Sequence, residues 1–362
     1  MSNDKEFVPG MREQGKGIKV YLESDYAPLK ACLVGNASAV MIPDPDTWEM
    51  KNLFGPSASD EFMAYLRKHK GKNLKDADPE IWEKMAMESD ALADAYRQNG
   101  VRVIRNETGE TPQPIVDYNF SWSKQKNMSL YGQSAFEVFG HVLVQTWEVT
   151  CSQTELVHRE AMIEIMKGDP EAVWLTMPPP YPTVDRMGPG PLFSPGDPLI
   201  FDKLVVVGIG VTDPSHINDP SKPRSSGDEF GAEILRRMLA PYGWRVETVY
   251  FNSQLTYHID CLIGVLEEGL MAMPKDCLWT PLPKELQDWE VMELTLEDHH
   301  MGCSNNEPLG NKKLVMPAGT KNFASDLEKR GWTCIEVPYS TIWDTFHSGI
   351  HCSTASIWRE FD

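Results

Sequence analysis

The chain has 362 residues, of which 41% are hydrophobic and 24% charged, the composition of a soluble globular protein with a large core. Its 34 basic and 53 acidic residues give a formal net charge of −19, and so acidic a surface argues against nucleic acid as a partner. No apolar run approaches the ~20 residues that span a bilayer, and the polar N-terminus is unlike a signal peptide. We therefore expect a cytoplasmic protein that does not bind membranes.

One local pattern recurs along the chain: a helix ends at a Gly, and a strand of alternating character follows. Gly suits the left-handed position that closes a helix, and alternation with period two is typical of a half-buried strand. Short apolar strands joined by a turn form a second recurring pattern. In chain order, the predicted elements are a strand 30–35, a helix 79–97 with a strand 101–104, paired strands 135–140 and 141–145, a helix 152–167, paired strands 199–201 and 204–208, a helix 229–239 with a strand 244–249, paired strands 261–266 and 270–273, a strand 311–316, and a helix 319–330 with a strand 332–337.

These elements form four or five units of strand, turn, strand, helix and strand, which is an internal repeat with irregular spacing. Such units bury their sheets only by packing around a common centre. The pattern therefore predicts one pseudo-symmetric α/β domain. We place it at residues 20–362, after a polar tail of residues 1–19.

The seven cysteines are odd in number, irregularly spaced and without a CxxC pair. That pattern argues against a disulfide framework and against a structural zinc site. Most of the cysteines lie among apolar residues, where a small core side chain is the simplest interpretation. Cysteines that form no disulfide framework are consistent with a reducing compartment.

The segment 256–261 (TYHIDC) contains His258 and Asp260, two residues apart. On a strand, both side chains would face the same way. A carboxylate favours the charged imidazole, so such a pair suits proton transfer. Taken alone, a His–Asp pair at this spacing is more often a surface pair or a core hydrogen bond.

The segment 348–354 (SGIHCST) places Cys352 ten residues from the C-terminus, after a turn that contains Gly. A Cys in such a turn can be exposed at a strand end, and a nearby His helps to form the nucleophilic thiolate. By composition alone, a buried structural Cys is the commoner case.

The H-x-D pair followed by a near-terminal G-x-H-C resembles the guanidine-modifying enzymes, and within them the glycine and inosamine-phosphate amidinotransferases. The segment 26–35 (YAPLKACLVG) is similar to the opening strand of that family, and the helix–Gly–strand units follow in family order. The segment 304–316 can be laid along the corresponding family strands without a gap. The resemblance thus covers most of the chain.

The resemblance implies the pentein fold, a five-bladed α/β propeller with its active site in the central channel. It implies that Cys352 attacks the guanidinium carbon of an arginine-like donor, that an amine leaves, and that an amidino-S-cysteine intermediate forms. His258 would protonate the leaving amine and then activate the acceptor amine, while Asp260 would orient His258 or hold the substrate. No metal and no organic cofactor are implied. Small molecules are the expected partners, and a homo-oligomer is left open.

Two acids of the family are replaced here. Its F-D-x-x-D stretch reads FSPGD at 193–197, so Ser194 replaces the first acid and Asp197 is kept. Its P-R-D stretch aligns with GQS, so Ser134 replaces the Asp that binds the guanidinium.

The three glycines that usually precede the x-His-Cys motif read HSG at 347–349. With these departures, the residues that we expect to bind substrate are Asp197, Ser194, Ser134, Asn306 and His351.

Carboxylates are the natural receptor for a guanidinium, which is a planar cation with paired donors. Replacing two of them by serines would lower the affinity by ~1.5–3 kcal/mol per charged hydrogen bond. Either other acids take their place, with Glu307, Asp298 and Asp117 as candidates, or the substrate group is a neutral amide, ureido or ester group.

The leading hypothesis is therefore an amidinotransferase of small-molecule metabolism. The nearest alternative is a hydrolase that uses water as the acceptor, or an enzyme that acts on a neutral group with the same Cys–His pair. A third is a family member that binds a ligand without turnover. The retained Cys352, His258 and Asp260 count against the third, because a binding protein has no need of a nucleophile.

Overall fold

The computed structural model describes residues 14–46, 59–106, 128–146, 157–178 and 190–361. The strands are β1 Tyr21–Leu22, β2 Leu29–Val34, β3 Arg102–Ile104, β4 Phe136–Phe139, β5 Val142–Gln145, β6 Val173–Thr176, β7 Pro198–Phe201, β8 Leu204–Val211, β9 Arg245–Asn252, β10 Gly264–Glu267, β11 Leu270–Pro274, β12 Glu290–Leu294, β13 Glu307–Gly310, β14 Lys313–Pro317, β15 Thr333–Val337 and β16 Thr354–Arg359. The α-helices are Asp60–His69, Leu74–Ala77, Pro79–Gln98, Arg159–Gly168, Glu229–Leu239, Leu296–His300, Lys321–Lys329 and Ser340–Phe346.

Four of the five sheets repeat the same three-stranded pattern: β4-β5-β6, β7-β8-β9, β10-β11-β12 and β13-β14-β15. In each sheet the first strand is antiparallel to the second, and the second is parallel to the third. An antiparallel pair needs only a turn, whereas a parallel pair needs a longer crossover, which often contains a helix. The predicted unit of strand, turn, strand, helix and strand is thus confirmed in three of these sheets, whereas the segment between β11 and β12 contains only a 3-10 helix, Lys284–Leu286.

Glycines end the helices as predicted. Gly243 has φ +79° and Gly331 has φ +82°, and each precedes a third strand of a sheet. A residue with a Cβ atom is strained at such angles, so Gly lets the chain leave the helix and re-enter the sheet at once.

The fifth sheet joins the two ends of the chain, in the order β1-β16-β2-β3. The recurring pattern of paired strands suggested that β2 pairs with a stretch that follows it in sequence. Its antiparallel partner is instead β16. Pairing between strands more than 300 residues apart leaves no local signature, which is why the sequence did not reveal it. β16 begins at Thr354, two residues after Cys352, so its pairing with β2 places Cys352 next to the N-terminal strands.

The first strands of the sheets are almost entirely buried, including every residue of β4 and β7. Most of their side chains are apolar, but β4 contains the acid Glu137. Ile18, within the predicted tail of residues 1–19, is also buried in the core. The division into a tail and a single domain of residues 20–362 stays a prediction.

None of the helices in the described part of the chain is both long and apolar enough to cross a bilayer. The six cysteines within the same ranges are all free thiols, and Cys151 lies outside them.

Candidate active site

Cys352 lies in the turn between the helix Ser340–Phe346 and β16. Its side chain is buried, with 8% of the residue exposed, which is the case that composition alone favoured. Three side chains surround the sulfur. Its contacts are Asn305 Nδ2 at 3.2 Å, Cys261 Sγ at 3.5 Å and Asp260 Oδ2 at 3.6 Å.

Asn305 fixes both the backbone and the sulfur of Cys352. Its Oδ1 accepts the Cys352 N–H at 3.1 Å, while its Nδ2 donates to the sulfurs of Cys352 and Cys261. Gly349 makes this approach feasible, because a Cβ atom at that position would lie 2.1 Å from Asn305 Oδ1. Sequence reasoning missed Asn305, although the polar run 304–306 immediately before β13 was an available signal.

Asp260 lies in a short 3-10 helix, Ile259–Cys261, and not on a strand. The strand predicted to begin at Cys261 begins instead at Gly264, since the chain makes this helical turn first. Asp260 is 2% exposed, and one of its carboxylate oxygens, Oδ1, has no hydrogen-bond partner among the described residues. Its other oxygen faces the Cys352 sulfur.

His258 precedes that helix in an extended conformation, so the prediction that it shares a strand face with Asp260 is wrong. Its ring packs against Gly196, where a Cβ atom would lie 2.6 Å from the imidazole. His258 Nε2 is buried, and no described group bonds to it.

Asp197 shapes the loop that carries Gly196. It is fully buried; its Oδ2 accepts the Ser194 N–H at 2.7 Å, and its Oδ1 accepts the Ser226 hydroxyl. Since the protein itself bonds to both carboxylate oxygens, Asp197 holds the loop against His258. Direct substrate binding by Asp197 and Ser194 stays a prediction.

Gln133 brings three segments of the site together. Its N–H donates to the Cys352 carbonyl at 3.2 Å, and its side-chain amide donates to Pro195 O at 3.0 Å and to Glu137 Oε1 at 3.1 Å. The segments that carry Ser134 and Ser194 therefore meet at Gln133. Ser134 itself is half-buried, and its carbonyl accepts the hydroxyl of Thr146. A role for Ser134 in substrate binding stays a prediction.

A buried group of charges, which we call the ion cluster, consists of Glu307, His351 and Arg359. Glu307 is fully buried, with Oε2 2.6 Å from His351 Nδ1 and Oε1 bonded to Arg359 and to Ser356 Oγ. Arg359 also donates to the carbonyls of Ala27 and Pro308, at 2.7 and 2.8 Å. The two oxygens of Glu307 are thus paired with protein donors.

The ion cluster shifts the pKa values of its members. Burial disfavours the charged form of His351, but the Glu307 carboxylate outweighs it and raises the His351 pKa to about 10. Burial likewise opposes ionisation of Glu307, yet Arg359 and His351 hold its pKa below the usual range. His351 is therefore a cation bonded to Glu307 at neutral pH. Whether it also binds substrate stays a prediction.

Two further acids, Asp25 and Glu137, were missed by sequence reasoning. Burial raises the pKa of Asp25 to about 6, and burial together with Asp25 raises that of Glu137 well above its usual range. Asp25 lines a cavity of about 10 Å³ together with Asp260, Asn306 and His351. Such a cavity has room for a single water molecule. The signal for Glu137 was a lone acid in an otherwise apolar strand.

Two of the three compensating acids proposed from the sequence, Glu307 and Asp298, are already bonded to protein groups. Glu307 belongs to the ion cluster, and Asp298 caps the helix Leu296–His300 through a reciprocal pair of hydrogen bonds with Thr295. Asp117 lies outside the described residues.

Asp260, Cys261 and Cys352 present ligand atoms within 4.8 Å of one another, the requirement for holding a metal ion. These are three ligands, whereas structural zinc takes four. The absence of a metal and of a cofactor stays a prediction.

Comparison with known proteins shows likeness at the level of structure. No protein-family profile matches the sequence, and no curated protein matches it. The inosamine-phosphate amidinotransferase of Streptomyces griseus matches with a TM-score of 0.71 and 17% identity, over 95% of this chain and 98% of that one. An amidinotransferase of saxitoxin biosynthesis in Microseira wollei matches with a TM-score of 0.68 and 15% identity, over 95% and 98%.

A hydrolase shares the architecture as well. The N-terminal domain of a cyanobacterial arginine dihydrolase matches with a TM-score of 0.57 and 11% identity, over 91% of this chain and 97% of that domain. These structures belong to the pentein superfamily. The chain therefore has the α/β fold of the pentein enzymes, built here from five sheets of three or four strands.

Proposed function

We propose that the protein is a cysteine-dependent transferase that moves an amidino group from an arginine-like donor to a small amine. One observation carries this proposal: the buried Asp260 carboxylate lies against the Cys352 sulfur, and its Oδ1 has no hydrogen-bond partner in the described part of the chain. A guanidinium that donates an N–H to that oxygen would bring its central carbon towards the sulfur. The amidinotransferases among the structural neighbours support this choice of chemistry.

In the proposed reaction, the Cys352 thiolate forms an S–C bond to the guanidinium carbon. The C–N bond to the donor amine then breaks, and His258 Nε2 gives that amine its proton. The amidino group stays on Cys352. His258 next takes a proton from the acceptor amine, which attacks the same carbon and releases the thiolate.

The acids around the site would replace those lost at Ser134 and Ser194. Asp25, Glu137 and Asp260 are buried in neighbouring parts of the domain, and we propose that the five sheets are blades around a central channel that these acids line. Burial and the neighbouring Asp25 raise the pKa of Glu137, which favours its neutral form as a hydrogen-bond donor or acceptor. Asp260 is the acid whose side chain contacts the Cys352 sulfur. We also propose that the protein acts in the cytoplasm and that its partners are small molecules.

The alternative is a hydrolase, in which water replaces the acceptor amine. The arginine dihydrolase among the structural neighbours favours it. A neutral amide or ureido substrate is a variant of this alternative, because Ser134 and Ser194 offer neutral hydrogen bonds.

One experiment separates these activities. The chain is incubated with arginine, with and without glycine as a small amine, and the products are identified by mass. Ornithine together with a new guanidino compound indicates the transferase; ornithine with urea, or citrulline with ammonium, indicates the hydrolase. Cys352→Ala should abolish either activity, whereas Cys334→Ala, a free cysteine on β15, should not. A folded wild-type chain that consumes no arginine would rule out the proposal for this donor.

A further inference from the structure

The proposed reaction makes no use of Cys261, although its sulfur lies 3.5 Å from that of Cys352. Cys261 is 5% exposed and directly follows Asp260. We propose that Cys261 is a resolving cysteine: when a peroxide oxidises Cys352, Cys261 captures it in a reversible disulfide. The active site would then contain its own protection against irreversible oxidation.

The separation of the sulfurs makes a disulfide feasible. A disulfide needs an S–S distance of about 2.05 Å, so the two atoms together must move by about 1.5 Å. Rotation of two side chains can supply that movement. Asn305 keeps the segments at this spacing, since its amide contacts both sulfurs, the Asp260 carbonyl and the Cys352 N–H.

The environment of Cys261 suits a second, slower step. The hydrogen bond with Cys352, then burial, then the Asp260 carboxylate raise its pKa well above the usual value, so it stays a thiol while Cys352 is reduced. Burial and the Asp260 carboxylate still act on Cys261 after Cys352 is oxidised, so its attack on Cys352 is the slower second step.

The oxidation takes two steps. The Cys352 thiolate attacks one oxygen of hydrogen peroxide, an S–O bond forms, the O–O bond breaks, and the leaving hydroxide takes up the proton that Cys352 lost, which gives the first water. The Cys261 sulfur then attacks the Cys352 sulfur, the S–O bond breaks, and the Cys261 proton leaves with the hydroxide as water. Two thiols are oxidised to one disulfide, and one peroxide is reduced to two waters.

Among the six free cysteines in the described ranges, Cys261 and Cys352 are the pair whose sulfurs are in hydrogen-bond contact. Because these two sulfurs are already in contact, the disulfide should form at this pair first.

The test uses the full chain and hydrogen peroxide. Treated protein is denatured, alkylated with iodoacetamide and mapped by peptide mass. The expected result is a linked Cys261–Cys352 peptide pair, an intact mass lower by two hydrogens, and complete reversal by dithiothreitol. Sulfinic or sulfonic acid at Cys352 with an alkylated Cys261, or prior oxidation of other cysteines, would overturn the proposal.

Cys261→Ser sharpens the result, because it keeps the size of the side chain and removes the resolving thiol. In this variant, Cys352 should pass to the sulfinic acid and no longer recover with dithiothreitol, while Cys334→Ala should behave as wild type. Circular dichroism verifies that each variant is folded. Full recovery of Cys261→Ser would contradict the proposal. The readout is mass alone, so failure here is distinguishable from failure of the amidino chemistry.

Discussion

Two groups of buried polar residues lie close together in this domain, and they differ in how well their atoms are paired. In the ion cluster, the Glu307 oxygens accept from His351, Arg359 and Ser356. In the proposed catalytic group of Cys352, Asp260 and His258, in contrast, Asp260 Oδ1 and His258 Nε2 have no partner among the described residues. Buried polar groups are nearly always paired in folded proteins. We infer that the ion cluster stabilises the fold, and we propose that the unpaired atoms of the catalytic group bind substrate.

The largest expected effect is on stability, in Glu307→Gln. This change leaves Arg359 and His351 without their buried counter-charge, and breaking a buried pair in this way lowers the free energy of unfolding by about 3–5 kcal/mol. Chemical denaturation measures it. The matched control is Glu290→Gln, whose partner is Arg330 on the surface, and it should change stability by about 0–1 kcal/mol. Equal effects in both variants would show that the ion cluster contributes no more to stability than a surface ion pair.

The second prediction concerns Asp260→Asn, which keeps the size of the side chain and removes its charge. We expect kcat/KM for arginine to fall roughly ten- to a hundredfold, since a charged hydrogen bond contributes about 1.5–3 kcal/mol. The free energy of unfolding should stay equal or rise, because a buried carboxylate with an unpaired oxygen is unfavourable. Destabilisation as large as that of Glu307→Gln, with the rate unchanged, would show that Asp260 is structural.

The third prediction is a pH dependence of stability. Glu307, together with Asp260 and Asp25, raises the pKa of His351 from 6.5 to about 10 against the effect of burial. The folded state thus binds a proton that the unfolded state releases, so this contribution is complete below pH 6.5 and is lost as the pH rises towards 10. Stability should fall by up to about 1.4 kcal/mol per pH unit. His351→Gln should flatten the curve between pH 7 and 9, and a slope equal to that of wild type would contradict the assignment.

The smallest expected effect is on the rate, in Gly196→Ala. The added methyl group would lie 2.6 Å from the His258 ring, which must then rotate. An off-rotamer side chain is disfavoured by about 0.5–1.5 kcal/mol, so kcat should fall roughly two- to tenfold. Unchanged kcat, with a correctly folded variant, would show that the position of His258 does not matter for turnover.

The sequence predicted the repeating units well because their signals are local. The helix at 229–239 and the turns at Gly243 and Gly331 follow from periodicity and from the conformational freedom of Gly. The pairing of β2 with β16 could not be predicted in this way, because it depends on contacts between the two ends of the chain.

The site was only partly accessible from sequence, for a related reason. Cys352 and Asp260 were found through short motifs and do lie together. Asn305, Gln133 and Cys261 contact the same cysteine because the fold brings their segments together. Cys261 and Asn305 lie in segments that the sequence singled out, but no pattern there assigned them to Cys352. The short helix at Ile259–Cys261 was also missed, since three residues carry no usable periodicity.

The most direct test is to trap the covalent intermediate. The chain is mixed with arginine, quenched in acid within the first turnover and digested. The mass of the peptide that contains Cys352 is then measured by mass spectrometry. Our account predicts one amidino group on that cysteine and none on Cys261 or Cys334. Ornithine release without any modification of Cys352, or an unmodified Cys352 in a folded chain that leaves arginine intact, would contradict it.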